Sequence, residues 1–307
     1  MSGALGVDAL ELLAQSWQVS LRADRKSPAT LKSYGDGVRH YLTWCGEQDA
    51  EPLGRSSLRG FVSDLLDGGA APATARSRQL AVRRFTAWLT EEGEIPVDPF
   101  LGVKAPKLDQ HVIEPLTDDE LRRLLKACTP PAGSDRPQQM RYRRDEAILR
   151  LMLEAGLRAG EVVAIGVADV NLTEGTAVVR RGKGGKGRVV PFGPQTAKAI
   201  DRYLRLRAHH RLAQRPDLWL GDRGKGFTYD ALHKTLKDRA DAAGIEGFHP
   251  HKMRHTAAHR WLAAGGSESG LMAVAGWTRP DMLMRYTKAQ ASARAAEEAR
   301  KLNLGDL

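Results

Sequence analysis

The sequence predicts a mainly α-helical protein with a small β-sheet, divided into an N-terminal helical domain and a C-terminal α+β domain. Apolar residues recur at three- and four-residue steps through most of the chain, as in amphipathic helices. One pair of short valine-rich segments indicates strands instead, and a proline-rich break near residue 100 separates the two halves. A chain of 307 residues is long enough for two domains with separate cores.

The first domain, expected over residues 1–95, contains four predicted helices. The clearest follows Ser27 as N-cap and Pro28 in the first turn, because both residue types favour a helix start. The other three are expected at about residues 8–22, 56–66 and 74–89.

Basic residues concentrate on the helix expected at 74–89 and would form a charged face suited to a polyanion. A solvated helix face is the alternative interpretation of such a run. The residues are Arg76, Arg78, Arg83 and Arg84.

Prolines from Pro96 to Pro115 predict a linker over residues 96–115. The next domain, expected over 116–288, opens with a capping box from Thr117 to Glu120. Its strands are expected at 176–181 and 187–191, joined by a glycine-rich turn, and an Ala-rich final helix lies within 289–307.

The composition points to a polyanionic partner. The formal net charge is +10, and 33 of the 47 basic residues are Arg, whose planar fork suits phosphate. Nucleic acid and an acidic membrane surface both fit this charge. The two cysteines form no disulfide framework, and no secretory signal or membrane span is evident, so a cytoplasmic protein is expected.

Four stretches of the second half carry the candidate chemistry: GLRAGEV, RGKGGKGRVVPFG, HPHKMRHTAAHRWL and AGWTRPDMLMRYT. Each is weak alone. The alternative interpretation of Arg158, in the first stretch, is an ion-paired surface arginine. The alternative interpretation of the glycine-rich turn, in the second, is a flexible surface loop. Histidines at four-residue steps, from His251 to His259, permit a zinc site, but the Glu that serves as base in zinc proteases is missing.

Together these stretches resemble the tyrosine recombinase family, which includes phage integrases and Xer-type recombinases. They occur in the family's order and at its usual spacings, and the resemblance runs from about residue 8 to Tyr286. It implies a helical core-binding, SAM-like domain and a catalytic domain that together form a clamp around DNA.

The resemblance also implies roles for individual residues. Arg158 and Arg254 would hold the scissile phosphate, Lys183 would protonate the departing 5′-oxygen, and Tyr286 would be the nucleophile. His251 would act as acid or base. The remaining predicted site residues are Trp277 as a packing and positioning group, and Glu161 and His255 as supports. The predicted DNA contacts are Arg76, Arg78, Arg83, Arg84, Lys186 and Arg188.

These roles agree with phosphoryl chemistry, since cations aimed at the phosphate oxygens stabilise the charge that develops there. Two Arg and one Lys supply that charge, so no metal and no cofactor are predicted. The resemblance further implies four subunits on two duplexes, a Holliday junction, docking of residues 289–307 on a neighbouring subunit, and accessory DNA-bending proteins in some systems.

Two other functions remain open at this point. A type IB topoisomerase uses similar Arg, Lys and Tyr chemistry on one duplex, and a DNA-binding regulator can keep the fold without catalysis. Among recombinases, the short chain favours an Xer-like enzyme or a phage or plasmid integrase. Trp277, where many relatives carry His, favours the mobile-element integrase.

Overall fold

The computed structural model describes residues 5–108, 114–180, 187–221 and 226–279, together with residues 283 and 300. The chain divides into two compact units, Met1–His111 and Val112–Leu307. Each has a hydrophobic core of its own. Where the structure describes the chain, no helix is long and apolar enough to span a bilayer.

The first unit is helical, as predicted. Its described helices are α1 (Val7–Ala23), α2 (Pro28–Glu47), α3 (Arg55–Asp67) and α4 (Pro72–Glu91). Ser27 caps α2 by accepting a hydrogen bond from the Thr30 amide at 3.2 Å, so the predicted start of this helix is confirmed.

Aromatic side chains fill the core of the first unit. The Trp17 ring stacks on Tyr34 and packs at 5.4 Å from Phe85, which ties α1 to α2 and α4. The buried Tyr41 hydroxyl donates to the Pro52 carbonyl at 2.7 Å. Helices α2 and α4 cross in backbone contact at Gly37, where a Cβ atom would lie 2.5 Å from that of Ala81.

The first unit continues beyond α4. Phe100 and Val103 are buried in its core, although the sequence predicts a linker from residue 96. Arg55 fixes this segment by donating to the Pro99 carbonyl at 2.7 Å and to the Leu101 carbonyl at 3.0 Å. The prolines therefore belong to an ordered irregular segment of the first unit and not to a linker, because side-chain donors can satisfy the carbonyls of irregular backbone.

The second unit contains seven described helices: α5 (Asp118–Lys126), α6 (Arg136–Ala155), α7 (Ala159–Val163), α8 (Pro194–Arg207), α9 (Tyr229–Ala242), α10 (Pro250–Ala263) and α11 (Glu268–Ala275). The unit is built around α6, whose buried face packs against α8 and α10. Asp145 on α6 is 1% exposed and forms ion pairs with Arg144 and Arg239. The capping box of Thr117 and Glu120 is present at the start of α5, as predicted.

The described sheet has three antiparallel strands in the order β1–β2–β3, where the sequence predicts two. The predicted pair corresponds to β2 (Thr176–Val179) and β3 (Arg188–Pro191), with Val179 opposite Arg188. The additional strand is β1 (Val170–Asn171), which pairs with the start of β2. Two residues are too few for a detectable alternation in the sequence.

Candidate active site

The first predicted site residue, Arg158, lies in a tight connection between two helices. Helix α6 ends at Gly156, which has φ of +57°, and α7 begins after Arg158 as its N-cap. Glu161, in the first turn of α7, accepts the Arg158 backbone amide at 2.9 Å and the guanidinium Nη1 at 2.8 Å. The GLRAGEV stretch therefore folds so that Glu161 holds Arg158 from behind.

A second arginine holds the same carboxylate. Arg188, at the start of β3, donates from both terminal nitrogens to Glu161, at 3.0 and 2.9 Å. Its Nε donates to the Val274 carbonyl at 2.7 Å, and its side chain is only 12% exposed. The predicted role of Arg188 as a DNA contact needs correction, because all three guanidinium nitrogens are bonded within the protein.

Helix α11 ends beside these arginines. Gly276 terminates the helix with φ of +63°, a conformation that glycine adopts without strain. Three consecutive carbonyls at this end accept hydrogen bonds from three different arginines. Val274 accepts from Arg188 at 2.7 Å, Ala275 from Arg254 at 2.7 Å, and Gly276 from Arg158 at 3.4 Å.

Guanidinium groups suit this position because the carbonyls at a helix C-terminus carry partial negative charge. We call the carbonyls of residues 274–276 the carbonyl rack. It brings together two predicted phosphate ligands and one arginine predicted for another role.

Arg254 lies on α10 and is 2% exposed. Besides Ala275, it donates to the Gly156 carbonyl, so it joins the end of α6 to the end of α11. Its guanidinium lies 5.2 Å from the centre of the Trp277 ring, within cation–π range.

Trp277 is 5% exposed and packs in a small apolar cluster with Ala258, Leu262 and Leu271. Its backbone amide donates to the Met272 carbonyl at 2.9 Å, which closes the end of α11. The expected packing role of this residue agrees with its surroundings.

The predicted histidines lie near the start of α10. The rings of His251 and His255 meet edge to face with 4.6 Å between their centres; His251 is exposed and His255 is buried. His249 caps the helix by accepting the Lys252 amide at 3.2 Å. Burial, followed by the nearby Lys252 charge, lowers the pKa of His249, which fits its role as a neutral acceptor.

Glu161 stays ionised in this environment. Burial alone would raise the pKa of its carboxyl, but hydrogen bonds from Arg188 and Arg158 outweigh burial and lower the pKa to about 2. The carboxylate therefore places one negative charge between Arg158 and Arg188.

The remaining predicted site residues have other positions. Arg76 and Arg84 are exposed on α4 of the first unit, while Arg78 and Arg83 are half-buried. Lys183, Lys186, Tyr286 and the helix expected within 289–307 lie outside the described residues. Among the described residues, no three His, Cys, Asp or Glu side chains gather closely enough to hold a metal.

Sequence reasoning missed the carbonyl rack and the place of Arg188. Carbonyls carry no residue-type signature, and an arginine beside a basic turn resembles a surface charge. One signal was available in Gly276, since a glycine after an apolar helical segment indicates a helix end and therefore a set of exposed carbonyls.

The comparisons with known proteins cover both units. Residues 114–293 match the model of the Phage integrase family, and residues 14–93 match that of the Phage integrase, N-terminal SAM-like domain. The chain belongs to the phage integrase family. It is a tyrosine site-specific recombinase.

Curated relatives of this recombinase match most of its length. The tyrosine recombinase XerC of Roseiflexus sp. (strain RS-1) is 30% identical over 240 residues, which cover 76% of this chain and 74% of that protein. XerC of Chromohalobacter salexigens is 29% identical over 266 residues, covering 85% of this chain and 86% of that protein.

Solved structures share the fold of the recombinase. The XerH site-specific recombinase bound to palindromic difH substrate superposes with a TM-score of 0.72 at 16% identity, covering 96% of this chain and 84% of that one. The Tn1549 transposon integrase in complex with transposon right end DNA gives 0.69 at 18% identity, covering 96% and 99%. The predicted fold class is confirmed.

Proposed function

We propose that this recombinase cuts and rejoins DNA through a covalent bond between Tyr286 and a backbone phosphate. The observation that carries the proposal is the group formed by Arg158, Arg254 and Arg188 at the carbonyl rack, with Glu161 as its carboxylate. Fixed cations beside a reacting phosphate stabilise the charge that builds on its oxygens.

In the proposed reaction, the Tyr286 oxygen attacks the phosphorus and the bond to the 5′-oxygen breaks. His251 accepts the phenol proton, and Lys183 gives a proton to the departing 5′-oxygen. A 3′-phosphotyrosyl bond replaces the phosphodiester, so a 5′-hydroxyl can reverse the step without ATP. A phenol with an ordinary pKa near 10 needs such help at neutral pH.

The two phosphate ligands differ in access. Arg158 has 28% of its side chain exposed and can meet a phosphate where it lies, whereas Arg254 is buried. We therefore propose that Arg158 makes the first contact, and that Arg254 joins after a rearrangement when DNA binds.

Affinity in the proposed complex comes largely from phosphate neutralisation. We propose that residues 1–95 act as a core-binding domain and 116–288 as the catalytic domain, and that each contacts the duplex. Arg76 and Arg84 of α4 are exposed and suit phosphate contact. Relatives of known structure include a lambda integrase tetramer bound to a Holliday junction. By analogy, we propose four copies of this chain on two duplexes, joined by residues 289–307.

The names of the curated relatives bear on the biological role. Relatives that match 76% and 85% of the chain are XerC proteins, which supports an Xer-like recombinase over a mobile-element integrase. The presence of Trp at position 277 is weaker support for a mobile-element integrase, because a packing role fits both kinds of recombinase.

Covalent trapping tests the proposal. Duplexes enriched from a randomised pool by binding to the protein supply a target site. A nick on the 3′ side of the cleavage position lets the short fragment that carries the released 5′-hydroxyl diffuse away. The protein is expected to form an adduct that survives boiling in detergent, and Tyr286→Phe is expected to abolish it while DNA binding remains. An adduct from Tyr286→Phe would refute the assignment of the nucleophile.

A second test separates recombination from topoisomerase activity. Two duplexes of different length that carry the enriched site are expected to exchange strands and give recombinant lengths. Relaxation of a supercoiled plasmid without any recombinant product would favour the type IB topoisomerase. DNA binding without either product would favour the non-catalytic regulator.

A further inference from the structure

The contacts of Arg188 reach three parts of the second unit. Its guanidinium joins the first turn of α7 through Glu161 and the end of α11 through Val274. Along the chain, Arg188 follows the glycine-rich turn by one residue and Lys183 by five. The side chain thus links the hairpin strand β3 to the segments that carry Arg158 and lead toward Tyr286.

Arg188 also affects the electrostatics of this cluster. Glu161 is 5% exposed at its side chain and ionised, and it bonds both Arg158 and Arg188. Because the carboxylate is shared, Arg188 offsets its negative charge and leaves the charge of Arg158 available to a phosphate. Without Arg188, the full carboxylate charge would act on Arg158 at 2.8 Å in a buried setting, where Coulomb forces are strong.

The Arg188 guanidinium also packs closely against the backbone of Gly276. A Cβ atom at Gly276 would lie 2.9 Å from Nη1 and 3.0 Å from Cζ of Arg188. The glycine therefore leaves space for the guanidinium as well as adopting the left-handed conformation that ends α11. Two separate features, a bidentate ion pair and a close backbone face, fix one orientation of this side chain.

We propose that Arg188 is a positioning residue, which sets the charge and orientation of Arg158 through Glu161 and so controls phosphate activation. This inference rests on the proposed function of Arg158. It differs from direct DNA contact, because Arg188 acts without touching the nucleic acid.

The test compares Arg188→Met with Arg158→Ala at saturating DNA, using single-turnover cleavage of the enriched nicked duplex. Arg188→Met is expected to cleave about 100-fold more slowly than wild type, because Arg158 would be displaced from the phosphate. DNA affinity is expected to change little. Arg180→Met is the matched control, since Arg180 directly follows β2 and pairs with the buried Asp169 rather than with Glu161.

A second substrate tells a positioning role from general support of the fold. When a methyl group replaces one non-bridging oxygen of the scissile phosphate, the bound group is neutral and less negative charge develops during attack, so cleavage depends less on Arg158. Both Arg158→Ala and Arg188→Met are expected to approach the wild-type rate on this methylphosphonate. Recovery of Arg158→Ala alone would overturn the inference, because Arg188 would then act independently of Arg158.

A glycine pair covers the case in which Arg188→Met fails to fold. Gly276→Ala pushes a methyl group against an intact Arg188, whereas Gly265→Ala has the same type of backbone strain, at φ of +81°, with nothing within 4 Å. Only Gly276→Ala is expected to slow cleavage, and equal rates for the two variants would overturn the inference. Absence of any adduct from the wild-type protein would instead refute the proposed function.

Discussion

The arginines of the first and second units are arranged in opposite ways. On α4, Arg76 and Arg84 extend into solvent from a regular helix. In the second unit, Arg188 and Arg254 are largely buried, and their guanidinium groups bond to Glu161 and to carbonyls at the ends of α6 and α11. One residue type therefore serves two physical purposes in the same chain.

The difference lies in how each charge acts. An exposed arginine attracts a polyanion over a distance set by salt, and its neighbours can replace it. A buried arginine held by fixed acceptors has one orientation and acts in a low-dielectric setting, where its field is stronger. Electrostatic attraction of DNA is thus assigned to the first unit, and preorganised stabilisation of the reacting phosphate to the second. Mutations in the two units should therefore affect DNA affinity and cleavage rate separately.

The largest effect is expected at Arg158. Arg158→Ala removes a fixed cation from the phosphate site, and the cleavage rate is expected to fall by about 100- to 1,000-fold. DNA affinity is expected to change little, because most affinity comes from the exposed charges. Single-turnover cleavage and a binding titration measure the two quantities. A variant that cleaves at the wild-type rate would end the comparison, since a cation held in place by Glu161 would then have no special role.

An intermediate effect is expected from acid. The pKa of Glu161 is about 2 in the folded protein, against an ordinary value of about 4.5, so its contribution to stability is complete above pH 5 and disappears as pH falls toward 2. Glu161→Gln is expected to be less stable than wild type by a few kcal/mol at pH 7, and the difference should shrink over that range. Thermal unfolding at several pH values measures it.

The control for this prediction lies in the first unit. Asp36 and Arg39 form an exposed ion pair on α2, and such pairs contribute at most about 1 kcal/mol. Asp36→Asn should therefore cost little at any pH. A pH-independent loss in Glu161→Gln would show that packing, not charge, is what the carboxylate supplies.

The smallest effect is expected on α4. Arg76→Gln or Arg84→Gln should each lower the salt dependence of DNA binding by about one unit in a plot of log affinity against log salt. Cleavage at saturating DNA should remain unchanged. Arg59→Gln, at an exposed arginine of α3, is the matched control. An equal slope for all three variants and wild type would show that α4 does not face the phosphates.

Much of the fold was predictable because local signals were strong. Ser27 and Thr117 marked helix starts through their capping side chains, and both caps are present. Strand β1 was not predicted, because its two residues form a strand only by pairing with β2. The structured segment around Phe100 was mistaken for a linker, since its prolines were visible in the sequence and its bonds from Arg55 were not.

The site was predictable to the level of residue types. The stretch around Arg158 and Glu161 has a spacing that places the two side chains together within one helical turn, and they are bonded. Arg188 could not be assigned in this way, because its partners are 27 and 86 residues distant. Contacts across such separations depend on tertiary packing, which periodicity does not describe.

The carbonyl rack also changes what a mutational survey can detect. Valine or alanine at positions 274 and 275 can be replaced without altering the atoms that hold the arginines, because those atoms belong to the peptide units. Tolerance at both positions would therefore say nothing about their importance. Chemical synthesis that converts the linking amides to esters, whose carbonyls are poorer acceptors, addresses the atoms themselves.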